Sequence, residues 1–148
     1  MSWAPHVTVA AVIRHGDRYL MVEEMAEGRR VFNQPAGHLE PGESLLQAAA
    51  REVLEETARP FVPTGLIGVY RWEFSAADRT YLRFCFGGSA GEVVPDRALD
   101  PDILDTHWLT AAQIRARRDQ LRSPLVLRCL EDALQRPWQS LDLLHDLR

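Results

Sequence analysis

Between Gly37 and Thr57 the chain reads GHLEPGESLLQAAAREVLEET, and the short helix predicted inside it carries more carboxylate than an ordinary surface helix. Ser44 has the chemistry of an N-cap, with Gln47 three residues on to complete a reciprocal capping box. Leu45 to Thr57 then contains neither Gly nor Pro. At about 100° per residue, Leu46, Ala49, Ala50, Val53 and Thr57 fall on one side. Glu52, Glu55 and Glu56 gather on the opposite side, which the pattern predicts to be exposed.

Carboxylates at that spacing repel one another and raise one another's pKa unless a cation holds them. Their oxygens are hard ligands suited to Mg²⁺, with Mn²⁺ an alternative, and Mg²⁺ takes few protein ligands, leaving positions for water and substrate phosphate. The expected substrate is therefore a phosphate compound. Ala48, beside Glu52 and Glu55 on the helix, is small enough to leave room for a ligand over the acids, and the loop Gly37–Gly42 lets backbone approach the same point. The competing reading is a solvated helix face with surface salt bridges, in which Arg51 is one more surface cation.

Gly37, five residues, Glu43, seven residues, Arg51-Glu52, an apolar Val53, one residue and Glu55-Glu56 resemble the Nudix box of diphosphate-cleaving hydrolases. Chance agreement at those six identities is rarer than about one in ten million per starting position. The resemblance implies that Arg51 pairs with Glu43 and Glu52. It implies that Glu52, Glu55, Glu56 and the Gly37 carbonyl bind the metal, and that one of the three glutamates or an acid from a later loop is the general base. That loop, Ser89 to Asp102, offers Glu92, Asp96, Asp100 and Asp102 without ranking them. The family's pattern ends in a helix-capping Gly where this chain has Ala58. With Pro60 already stopping the helix, an exit through ordinary backbone angles is expected.

PHVTVA, FNQPAGHLEPGES, Arg83-Phe84 and RSPLV at Arg122–Val126 are similar to the NudJ-type bacterial phosphatases of that family. The implied substrates are nucleoside di- and triphosphates and the pyrophosphates of thiamine or its hydroxymethylpyrimidine precursor, with Gln34 and Arg83 meeting the substrate. The bland alternative for Asn33 and Gln34 is a pair of turn or edge-strand amides. Two rival functions are a Nudix-fold domain that binds nucleotide without hydrolysis and a diphosphatase acting on a nucleotide sugar or dinucleotide.

Elsewhere, His6–Arg14 and Tyr19–Glu24 read as a hairpin, and Val31–Gln34 as a short extended run. Pro60 and Pro63 bar helix, after which Gly65–Phe74 and Thr80–Gly87 form a second, aromatic hairpin. Tyr70, Trp72 and Phe74 share a face there, and Trp72 is either core or a flat surface for a heteroaromatic ring. Asp105–Leu109 is a last strand, Thr110 with Gln113 caps a short helix, and Ser123-Pro124 opens another that Pro137 stops. Trp138–Arg148 is a tail to which the sequence assigns no element. The order of elements makes the chain α/β, with a mixed sheet covered by helices. It resembles the Nudix α/β/α sandwich built on a central catalytic helix, as one domain over 1–148.

A net charge of −4 with no basic run makes nucleic acid an unlikely partner, leaving a small nucleotide or pyrophosphate. Cys85 and Cys129 lack metal-ligand spacing and suit buried thiols in a reducing compartment. With neither a membrane-length apolar run nor a signal-peptide pattern, the expected location is cytoplasmic and the expected state a monomer or small homo-oligomer.

Overall fold

In the computed structural model, which describes residues 2–148, the run VTVAAVI lies at the heart of β1 (His6–His15) and is buried on both faces from Val9 to Ile13. A strand without a polar side must be covered twice. Val9, Ala11 and Ile13 pack with Ala48, Ala49 and Val53 of α1 (Leu45–Thr57) on one face. Ala10 and Val12 pack on the other with Val126, Cys129 and Leu130 of α3 (Pro124–Gln135), joined by Ile114 of α2 (Ala111–Ala116). The result is a mixed sheet between helices, the α/β/α sandwich.

The remaining strands are β2 (Arg18–Ala26), β3 (Arg29–Asn33), β4 (Ala36–His38), β5 (Phe61–Phe74), β6 (Arg79–Ala90) and β7 (Ile103–Thr110). The sheet runs β3-β2-β1-β6-β5, with β7 on β2 and β4 on β1. β1 and β6 are parallel, from His6↔Tyr81 to Ile13↔Gly88. β4 is antiparallel to β1, with Val9 opposite Gly37. That pairing fixes Gly37 in front of α1.

Both predicted capping boxes are present, Ser44 with Gln47 and Thr110 with Gln113, and Pro124 occupies the first turn of α3. β5 begins at Phe61, four residues before the predicted start. Pro63 is tolerated because β5 ends the strand order and shifts register between Pro63 and Gly65. The tail is ordered against the sheet. Gln139 and Leu66 exchange backbone hydrogen bonds of 2.7 and 2.9 Å, and the Trp138 indole lies so close over Gly87 that a Cβ there would meet it at 2.3 Å.

The helix exit corrects the expectation at Ala58, which adopts left-handed angles (φ 59, ψ 24). Its N–H donates to the Leu54 carbonyl at 2.9 Å, and its own carbonyl accepts from Val94 N–H at 2.7 Å. Pro60 stops the helix, but this turn points the chain into β5. A side chain in that conformation costs roughly 1–2 kcal/mol, whereas the buried Ala58 methyl contributes about 0.8 kcal/mol. Ala58→Gly is therefore expected to stabilise the protein by up to ~1 kcal/mol, or about 2–4 °C of melting temperature for a chain of this size. Thermal melts of the two proteins check this, and a fall would show that methyl packing outweighs the strain.

Candidate active site

The acidic face of α1 is not open to solvent as its periodicity suggested. Glu52 and Glu56 are buried, at 8% and 6% exposure, because β4 lies across them, and Glu55 is half-buried. Ala48 is fully buried among the core residues rather than leaving space over the acids. Gly37 is explained by contact: a Cβ built on it would come within 2.1 Å of the Glu52 carboxyl carbon. Only glycine allows that carboxylate to lie against the strand.

Arg51 gathers this cluster. Its Nε and Nη2 donate to the two oxygens of Glu43 at 3.0 and 2.8 Å, and Nη1 donates to Glu52 at 2.8 Å and Glu55 at 3.2 Å. Nη2 also donates to the His38 carbonyl at 2.8 Å, tying α1 to β4. Such bidentate, charge-assisted bonds fix orientation as well as charge. Arg51 holds the Glu43 carboxyl below the usual range, and Glu43 in turn raises the Arg51 pKa.

Burial pushes Glu52 up despite Arg51, and pushes Glu56 further, to about 10, although the Ala36 N–H donates to it at 3.0 Å and favours its charged form. The charge on Glu52 adds to the rise at Glu56. Burial, with Glu55 nearby, also raises Asp100. A cation placed among these groups would favour their charged forms and oppose the rise.

Asp100 was one of four undistinguished acids in the sequence. Asp100 N–H donates to the Glu55 carbonyl at 3.0 Å and Val94 N–H to that of Ala58, so the loop after β6 is stitched to carbonyls at the end of α1. This brings a carboxylate oxygen of Asp100 within 4.8 Å of one each from Glu52 and Glu55, whereas Glu92, Asp96 and Asp102 are exposed. No local sequence signal separates Asp100 from its neighbours; its position is set by pairing with a helix some 45 residues earlier. Glu52, Glu55 and Asp100 form a hard-oxygen set that can coordinate a divalent cation. Glu56 lies behind them, against β4.

On the other side of β4 is a small cavity of about 130 Å³ lined by Gly37, His38, Arg83, Trp72 and Arg122 among others. It adjoins a larger cleft of about 680 Å³ floored by Trp72, Phe74, Leu121, Pro124 and Leu127. Trp72 is half-buried, makes stacked pairs with Phe74 (5.0 Å) and Tyr81 (5.6 Å), and lines both spaces. Arg83 is buried, donating to Gln34 Oε1 at 3.1 Å and Asn33 Oδ1 at 3.4 Å. Gln34 itself lines neither space. Its amide is engaged by Arg83 and by the Val126 carbonyl at 2.7 Å, so it acts on a ligand through Arg83 rather than by touching it.

An acidic helix backed by a sheet, with a small cavity and an aromatic cleft alongside, fits a hydrolase of phosphoanhydride bonds. The chain belongs to the Nudix hydrolase family, whose NUDIX domain model matches residues 4–129. It is 41% identical over 137 residues, covering 90% of this chain and 88% of the relative, to Phosphatase NudJ of Escherichia coli strain K12. The same figures hold for Phosphatase NudJ of Shigella boydii. A NUDIX hydrolase from Nitrosomonas europaea superposes with a TM-score of 0.95 at 48% identity, covering 97% of this chain and 98% of that one. The chain is accordingly close to the NudJ-type bacterial phosphatases.

Proposed function

We propose that this hydrolase cleaves pyrophosphates carrying a heteroaromatic group, namely nucleoside di- and triphosphates and pyrophosphates such as those of thiamine or hydroxymethylpyrimidine, with release of orthophosphate. The observation that carries this reading is the adjacency of the Glu52–Glu55–Asp100 cluster, across Gly37, to a cavity and cleft that share Trp72. The likeness to Phosphatase NudJ supports it.

The cation is Mg²⁺, with Mn²⁺ able to replace it, held by Glu52, Glu55 and Asp100 with help from Glu56 and the Gly37 carbonyl. Bound there, it would neutralise phosphate oxygens and lower the pKa of water. Arg51 and Glu43 keep the carboxylates in place, as supporting groups around a metal do. A carboxylate of the cluster takes a proton from water as the water oxygen bonds to phosphorus. The bridging P–O bond then breaks, and its electron pair leaves with the rest of the substrate. Trp72 stacks on the ring and Arg83 faces the phosphates.

The test is a panel of pyrophosphorylated substrates assayed with Mg²⁺, with orthophosphate and pyrophosphate release distinguished. Faster turnover of aromatic pyrophosphates than of inorganic tripolyphosphate, with orthophosphate as product, is expected. Pyrophosphate as sole product, or preference for a nucleotide sugar, would contradict it.

Stacking of a base on an aromatic side chain is worth roughly 1–3 kcal/mol. Trp72→Ala should therefore lower kcat/KM for aromatic pyrophosphates by about 10- to 100-fold, with a much smaller loss on inorganic tripolyphosphate. Equal losses on every substrate, with a large fall in melting temperature, would show that Trp72 serves only packing.

The protein acts on small molecules as one Nudix domain. Among the described residues, no helix is long and apolar enough to cross a membrane. Two buried free thiols, Cys85 and Cys129, suit a reducing compartment, and we place the protein in the cytoplasm.

A further inference from the structure

Among the described residues, three line both the small cavity and the aromatic cleft: Trp72, Arg122 and Ser123. Arg122 is the charged one. Its backbone is firmly held, since its N–H donates to the Phe32 carbonyl at 2.8 Å, Leu121 bridges to Phe32, and Ser123 caps α3. Its side chain is hardly committed. The nearest carboxylate is Glu24, with Nε to Oε1 at 4.0 Å, the outer limit of an ion pair.

Of the other arginines around these spaces, Arg118 lines only the cleft, and the rest are engaged. Arg51 is bound by Glu43, Glu52 and Glu55, Arg128 by Asp132 at 3.0 Å, and Arg29 by the Asp119 carbonyl at 3.3 Å. Arg83 is held by Gln34 and Asn33, yet its Nε is buried without a partner. A donor left unpaired in a buried place is costly unless a ligand satisfies it.

The small cavity thus meets two guanidinium groups, Arg83 and Arg122, and its lining holds no acidic residue. Its volume of about 130 Å³ is small beside the roughly 680 Å³ of the cleft, which suits it to a phosphoryl group and the cleft to a ring system. It lies between the acidic cluster and the aromatic cleft. A substrate whose ring enters the cleft must pass its first phosphate by Arg122.

We propose that Arg122 is a specificity-determining residue that binds the phosphate retained by the organic product, and that Glu24 is the positioning residue that aims it. The inference rests on the hydrolytic reading above. Glu24 is suited to this task because Asn33 Nδ2 donates to it at 3.4 Å, fixing the carboxylate on the same amide that holds Arg83. The loose Glu24 contact orients Arg122 without saturating it. Five fixed N–H donors match a phosphate in a way an ammonium group does not.

The experiment compares the full chain with Arg122→Met, Arg122→Lys, Glu24→Gln and the double variant Glu24→Gln/Arg122→Met. KM and kcat are measured on thiamine pyrophosphate and a nucleoside triphosphate, Kd on a methylene-bridged nucleotide analogue, and melting temperature on every protein. Loss of a charge-assisted bond should raise KM and Kd by about 10- to 100-fold in Arg122→Met. Because this phosphate is bound alike before and during the reaction, kcat should hardly change. Lys should recover part of the loss. Glu24→Gln should raise KM in the same direction and add little in the Arg122→Met background.

Parental KM and Kd in a folded Arg122→Met would overturn the proposal, as would a fall in kcat at constant KM. A melting-temperature loss that Lys shares, with no change in Kd, would also overturn it by reducing Arg122 to a structural role. Should the Met variant not fold, the Lys variant decides by the same criterion. A parent protein that binds the analogue but hydrolyses none of the substrates would contradict the hydrolytic reading instead, and the Kd comparison would still judge Arg122.

Discussion

Glu55→Gln is expected to melt where the parent melts and to turn over its substrate at least ~100-fold more slowly. Glu55 is half-buried and its bonds come from one nitrogen of Arg51, so an amide of the same shape leaves the packing intact. What is lost is a charge at the point where Glu55, Glu52 and Asp100 converge, and with it much of the field that would hold the cation and neutralise the transition state. Glu56→Gln should lower turnover on the same scale, but with a different stability signature. Gln can still accept the Ala36 N–H, while the carboxyl it replaces is one whose folded-state pKa is raised from 4.5 to about 10.

A raised carboxyl contributes its stability fully below the unfolded pKa and loses it as pH rises toward the folded one. Metal-free parent protein should therefore lose melting temperature between about pH 5 and pH 9, and Glu56→Gln should show a flatter curve and the higher melting point at pH 8. Melts in the presence of a chelator test this. Parallel curves would mean that Glu56 is ionised at little cost, and parental turnover in both variants would misplace the site.

The second large effect is expected at Gly37. A methyl there would fall within 2.1 to 2.4 Å of all three carboxyl atoms of Glu52. Those atoms end a flexible side chain, so the fold should survive by moving the carboxylate and not the strand. Glu52 cannot move freely, because Arg51 Nη1 grips one oxygen at 2.8 Å while also donating to Glu55, and Nε and Nη2 of the same guanidinium hold Glu43. The whole arrangement should shift. Displacements of about 1 Å commonly cost ~100-fold in rate, and Gly37→Ala is expected to lose about that much while needing more Mg²⁺ for half-maximal activity. The rate and Mg²⁺ titration of Gly37→Ala check this. An unchanged Mg²⁺ requirement would show that Glu52 is free of the cation.

The helix, its caps and the box spacing are local matters, and Ser44, Gln47, Thr110, Gln113 and Pro124 carried them in a few residues each. The strand over His6–Arg14 was likewise legible from its Val and Ile content, although its cover on both faces was not. What the sequence hid depended on distant pairing. The acids of α1 looked exposed because a helical wheel contains no β4, and it is β4 that covers Glu52 and Glu56. Asp100 could not be chosen from its loop until the Glu55 carbonyl was seen to hold its N–H. Ala58 was misjudged because Pro60 explains why the helix stops but not the direction in which it leaves.

The central claim is that a divalent cation bound by Glu52, Glu55 and Asp100 is required to cleave a phosphoanhydride. Its most direct test is the Mg²⁺-activation curve for orthophosphate release from thiamine pyrophosphate, measured on the parent and on Asp100→Asn. No release is expected in excess chelator, with saturable activation of the parent and a curve for Asp100→Asn moved to higher Mg²⁺. Release in chelator, or superimposable curves for the two proteins, would contradict it.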